Sequence, residues 1–233
     1  MLPKPVVDYR RFRLRRMTSP EFSHLWLMLF WPIHGLLFYL VEADALNFGR
    51  GYTSVKIWLD DLVPFCEWFV IPYVFWFAFL VIIHLYTLLY DIASFRRLII
   101  FLAVTYWGTI LIYIIWPTQQ DLRPNLPVDG NFLERYMIDY YAMDTNTNVC
   151  PSLHVVGSWA VVCGAWKSKH FSGPVWRTVY VLVAALISVS VVYVKQHSAL
   201  DIFAAIPLCV LGWWLAMFLT RKPKNVQEDR QTA

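Results

Sequence analysis

Four polar side chains, Lys195, Gln196, His197 and Asp201, stand within seven positions at the junction of two apolar runs long enough to cross a bilayer. At that depth polar groups cost free energy unless they are partnered or put to use. His197 and Asp201 are four apart, so on a helix they share a face and the carboxylate can accept the imidazole N–H. Such a bond selects one tautomer and sharpens the other ring nitrogen as a base or nucleophile. The same spacing also serves a His and an Asp that only cap a helix at the water interface. The choice between these readings rests on what the rest of the chain brings to the spot.

The chain has 233 residues, of which 58% are hydrophobic, 18% aromatic and 15% charged, and its mean hydropathy is +0.48. That balance is too apolar for a soluble domain and implies a polytopic all-α membrane protein. The net charge of +4 is small and gathered in short segments. No basic stripe with interleaved aromatics is present, which argues against nucleic acid as a partner. Cys66, Cys150, Cys163 and Cys209 include no C-x-x-C pair, so neither a structural metal site nor a disulfide framework is expected, although a Cys66–Cys150 bond at one membrane face stays open.

About 20 apolar residues cross about 30 Å of hydrocarbon. By that measure six spans are expected, at residues 24–41, 63–90, 98–116, 151–166, 175–194 and 199–220, with the second beginning near Pro64 and kinked at Pro72. Residues 1–22 form a basic segment, residues 23–220 one membrane domain and residues 221–233 a tail. The first apolar run is too long and bulky for a signal peptide and reads as an uncleaved span. The basic N-terminus, a turn with Arg96 and Arg97, a turn with Lys167, Lys169 and Arg177, and the tail with Arg221, Lys222 and Lys224 fall on one side of this arrangement. The positive-inside rule makes that side, and both termini, cytoplasmic. In the long opposite loop, residues 117–149, aromatics recur at helical spacing after Asn131, a possible N-cap with Glu134 three residues on. A short interfacial helix or an irregular loop anchored by its tyrosines both fit.

Three polar clusters then meet on the outer face: Trp116 to Pro124, Cys150 to His154, and Lys195 to Asp201. Pro151 suits a first helical turn, whose free N–H groups, with the Ser152 hydroxyl, make an anion site. Arg123 and Lys195 would add positive charge. Two histidines beside such a site suit phosphate chemistry, one to attack phosphorus and the other to protonate the leaving oxygen.

These residues resemble the motifs of the type 2 phosphatidic acid phosphatase superfamily. Pro151-Ser152-Leu153-His154 is similar to its Pro-Ser-Gly-His motif, His197-x-x-x-Asp201 to the closing half of Ser-Arg-x5-His-x3-Asp, and Arg123-Pro124 to the end of Lys-x6-Arg-Pro. The resemblance implies a metal-independent and cofactor-free lipid phosphatase. In it His197 forms a phosphohistidine, Asp201 orients it, His154 protonates the leaving alkoxide, and Arg123 and Ser152 hold phosphoryl oxygens. The substrate would be a phospholipid or prenyl phosphate, a monoester or pyrophosphate, reached from the bilayer at the extracytoplasmic face of the plasma membrane.

The chain departs from the pattern at Trp116, where the family has Lys, at Val191, where it has Arg, and at Leu153, where it has Gly. Lys195 is expected to supply one of the two missing cations. Fewer cations weaken binding of a doubly charged monoester more than of a diester. The Pro-Ser-Leu-His form also resembles the branch containing inositol phosphorylceramide synthases, so a headgroup phosphotransferase akin to those or to sphingomyelin synthases is the alternative. A transporter is the other, because His34, Glu67 and His84 lie in apolar spans.

Overall fold

The computed structural model describes residues 4–221; Lys222 and Lys224 of the basic tail lie outside the described residues. A 3-10 stretch at Ser23–Leu29 runs into α1 (Phe30–Glu42). The two-residue β1 (Thr53–Ser54) and the short α2 (Trp58–Leu62) follow. A single 3-10 turn at Glu67–Phe69 then opens α3 (Val70–Tyr90). After it come α4 (Ile92–Ile115), β2 (Thr118–Gln119), α5 (Phe132–Met143), α6 (Leu153–Ala165), α7 (Pro174–Tyr193) and α8 (Ala199–Leu219).

The protein is an all-α membrane bundle. Five helical segments are long and apolar enough to cross a membrane, and α6 is a shorter apolar helix. Large side chains such as Leu85 on α3, Leu182 on α7 and Val210 on α8 point outward, as lipid-facing residues do.

α6 is the hub. It packs on α3, α4, α7 and α8, and every residue from His154 to Ala165 except Trp159 is buried. Its 13 residues rise only about 20 Å, less than the hydrocarbon thickness of about 30 Å. Small residues allow the close packing. A Cβ on Gly164 would lie 3.0 Å from the Cβ of Leu98, and one on Gly157 would lie 2.5 Å from the Tyr106 hydroxyl.

The helix boundaries correct several expectations. Asp91 alone separates α3 from α4, so Arg96 and Arg97 lie in a helix and not in a turn. Asp91 caps α4: its carboxylate accepts from the Ser94 N–H and hydroxyl at 3.2 and 2.9 Å, and from the Lys169 N–H at 3.0 Å. Pro64 lies outside any helix, and Pro72 is the third residue of α3, in the turn whose N–H groups have no partner inside that helix. Pro151 precedes the helix, because Ser152 is the N-cap of α6. All four cysteines are free thiols.

At one end of the bundle the connections interlock. β1 and β2 pair in parallel, and Gln119 bridges to Thr147. The Thr118 hydroxyl accepts from the Val149 and Cys150 N–H groups at 3.2 and 3.1 Å. The second cluster is thereby tied to the first. α5 forms as the Asn131 signal suggested, with the Asn131 side chain accepting from the Leu133 and Glu134 N–H groups and Glu134 accepting from the Asn131 N–H. Tyr141 then donates to the Val194 carbonyl at 2.6 Å, which lays α5 beside the third cluster.

Candidate active site

His197 and Asp201 meet at a cap and not along a helical face. Ser198 is the N-cap of α8 and Asp201 its third residue, so the carboxylate turns back to accept the Ser198 N–H at 3.1 Å and the His197 Nδ1–H at 2.9 Å. Nδ1 also stands 3.0 Å from the Val149 carbonyl. Both neighbours are acceptors, so Nδ1 carries the proton and Nε2 presents its lone pair. Asp201 is fully buried, and the imidazole is held from two sides.

The cap has a support that the sequence did not reveal. Asp60 of α2, itself buried, accepts from the Ser198 hydroxyl at 2.6 Å and from the Ala199 N–H at 2.8 Å. An acidic N3 position in a five-residue helix was the available signal. Nothing in it pointed across more than a hundred residues to α8.

His154, in the first turn of α6, stacks on Tyr73 at 4.3 Å between ring centroids and packs on Trp76 at 4.4 Å. Its ring lies 5.9 Å from that of His197. Its Nε2 is buried and has no hydrogen-bond partner among the described residues. Both imidazoles line one cavity of about 270 Å³, together with Leu153, Gln196, Asp144 and Glu42. Beside it, α6 starts without a side-chain cap. The Leu153, His154 and Val155 N–H groups have no acceptor among the described residues, and the Ser152 hydroxyl, which does not itself line the cavity, is buried without a partner among them.

The two expected phosphate-binding cations stand elsewhere. Lys195, at φ 54° in the left-handed region, donates from Nζ to the Asp60 carbonyl at 2.9 Å and to the Val63 carbonyl. It does not line the cavity, so its placement corrects its assignment as the substitute cation. Burial draws its pKa below the ordinary lysine value, against the opposing pull of Asp60 and Asp61. Arg123 is also committed to the protein. It donates to Gln196 Oε1 at 3.1 and 2.6 Å and to the Tyr141, Asp144 and Thr145 carbonyls at 3.0, 3.0 and 2.7 Å. It does not line the cavity itself but bonds three residues that do, Asp144, Thr145 and Gln196, and the Gln196 Nε2 donates to Asp144 Oδ2 at 3.3 Å. Backbone carbonyls left without a partner at helix ends are strong acceptors, and here they take both cations.

Among the remaining intramembrane polar residues, His34 joins the cavity wall, whereas Glu67 accepts from Asn131 at 3.3 Å and His84 packs against Trp31. The arrangement offers a tautomer-fixed imidazole, a second imidazole across a small cavity, and uncharged donors at a helix start. Comparisons with protein-family models, with curated proteins and with solved structures return no match, so what the site does is argued from this geometry.

Proposed function

We propose that the protein cleaves a phosphoester of a membrane lipid through a covalent phosphohistidine on His197. The observation that carries this reading is the His197 imidazole pinned at Nδ1 by Asp201 and Val149 while Nε2 faces the cavity shared with His154. Nε2 attacks phosphorus, the bond from phosphorus to the lipid oxygen breaks, and His154 gives that oxygen its proton. Water, deprotonated by His154, then attacks phosphorus and the P–N bond breaks. Asp201 balances the charge that the ring gains. The N–H groups opening α6 and the Ser152 hydroxyl hold the phosphoryl oxygens. The chain crosses the membrane six times in this reading, with both termini cytoplasmic and the site on the extracytoplasmic face of the plasma membrane, as the positive-inside rule suggests. The same residues support membership of the type 2 phosphatidic acid phosphatase superfamily.

A second reading, a diester substrate whose headgroup phosphate passes to an alcohol, is favoured by the turning away of Lys195 and Arg123. A dianionic monoester gains most from cations at the phosphate, a monoanionic diester less.

The test is turnover by purified protein in EDTA. Its substrates are phosphatidic acid, phosphatidylglycerophosphate and a prenyl diphosphate, alongside diester lipids with and without an acceptor lipid. Cleavage with a trapped acid-labile, base-stable phosphoprotein is expected, and both should vanish in His197→Ala. Turnover that survives in His197→Ala overturns the proposal.

A further inference from the structure

The cavity that holds the two histidines has a charge pattern unlike that of a site for a phosphate dianion. Glu42, at the end of α1, and Asp144, just after α5, both line it, and no Lys or Arg side chain does. The two carboxylates are neighbours: Thr145 donates to Glu42 Oε2 at 2.5 Å, and Gln196 donates to Asp144 Oδ2 at 3.3 Å. Neither forms an ion pair among the described residues, and one oxygen of each has no protein donor. Below them the wall is aromatic, with Phe38, Tyr106 and Tyr113 among its members. Three residues of the lining carry buried polar atoms without a partner among the described residues: His154 Nε2, His34 Nδ1 and the Tyr106 hydroxyl. His154 and His34 are each only 8% exposed. A cavity that buries unsatisfied polar atoms beside two unpaired carboxylates is built for a polar, cationic occupant.

We infer that the lipid cleaved here is zwitterionic: its phosphodiester carries a headgroup ending in an ammonium, which Glu42 and Asp144 receive while the phosphorus faces His197. This deepens the phosphohistidine reading and rests on it. The carboxylate oxygens without donors accept hydrogen bonds from a primary ammonium, and the aromatic faces attract a quaternary one. The same two charges repel a monoester dianion, so a single pattern selects for one lipid class and against the other.

The experiment measures equilibrium binding of short-chain phosphatidylethanolamine, phosphatidylcholine, phosphatidylglycerol and phosphatidic acid to His197→Ala protein in detergent, and turnover of the same lipids by wild-type protein. The four share a diacylglycerol phosphate and differ in the headgroup. Binding of at least one ammonium lipid about tenfold tighter than phosphatidylglycerol is expected, a difference of about 1.4 kcal/mol. The ethanolamine and choline arms tell a hydrogen-bonded primary ammonium from a caged quaternary one. In Glu42→Gln/Asp144→Asn protein that ratio should fall towards one.

Equal or weaker binding of both ammonium lipids overturns the inference, and the lipid ranking in the parent protein decides this even if the double variant does not fold. An unchanged ratio in a folded double variant overturns it as well. His197-dependent turnover without ammonium preference removes this inference and leaves the phosphohistidine reading standing. Ammonium preference in binding without any turnover by wild type removes the phosphohistidine reading and, with it, the claim of cleavage, and leaves only the ammonium-binding role of Glu42 and Asp144.

Discussion

His197 is held by two acceptors at one nitrogen, which leaves the lone pair of its other nitrogen free for the attack proposed for it. The role proposed for His154 is different, because it moves a proton to a leaving oxygen. Its loss should therefore matter in proportion to the basicity of that oxygen. His154→Ala is expected to slow cleavage of an alkyl phosphoester by about 10²–10⁴-fold and to slow a p-nitrophenyl ester of the same phosphate far less. Equal losses on both substrates would remove His154 from the proton transfer.

Asp144 supplies a prediction in pH. Burial raises its pKa above the usual aspartate value, although the nearby His197 and Arg123 pull it back down. A folded pKa above the unfolded one means that the group's stabilising contribution is full at acid pH and is lost as pH rises through the folded value. Asp144→Asn should thus raise the melting temperature at pH 7, and the gain should shrink as pH falls towards about 4, where the free carboxyl group itself protonates. A gain that is constant with pH, or no gain at pH 7, would show that the ionised carboxylate costs the fold nothing.

At the scale of elements, the first turn of α8 depends on α2. Asp60 receives the Ser198 hydroxyl and the Ala199 N–H, and its carbonyl receives Lys195. It brackets His197 on both sides in sequence without touching it. Asp60→Ala removes a charged cap from a helix start, a loss of about 1–2 kcal/mol. It should also lower kcat more than it raises KM, because what it disturbs is the aim of Nε2 and not a contact with substrate. A fall in stability with kcat unchanged would reduce Asp60 to a structural cap. α6 shows the same logic: its small and buried residues let four helices close around it, so that His154 arrives clamped between α3 and the cavity.

At the scale of the whole molecule, Arg96 and Arg97 at the start of α4 and Lys169 beside Asp91 stand at the end of the bundle opposite the site. Lys169 donates to Asp91 at the far end of the bundle, and Tyr9 donates to the Leu88 carbonyl there. The proposed orientation predicts that, in a cysteine-free background, Asp129→Cys is labelled in intact cells by a membrane-impermeant thiol reagent. Arg13→Cys should be labelled only after permeabilisation. The reverse pattern would put the site on the cytoplasmic face.

The apolar runs, the helical nature of the fold, the Asn131–Glu134 cap and the convergence of residues 116–124, 150–154 and 195–201 were legible in the chain itself. Each follows from local pattern: hydrophobic length, capping chemistry and the alternation of spans. His197 beside Asp201 was legible too, although the geometry that joins them is a cap and not a helical face. What the tertiary structure alone decided is where the charges go. Lys195 and Arg123 read in the chain as phosphate ligands, yet carbonyls of α2, of α5 and of the residues just after them claim them. Glu42 and Asp144 read as ordinary loop acids until two helix ends bring them to one cavity wall. A buried hydrogen bond is settled by whichever partner the fold delivers, often from a hundred residues away, and spacing along the chain carries no record of that encounter.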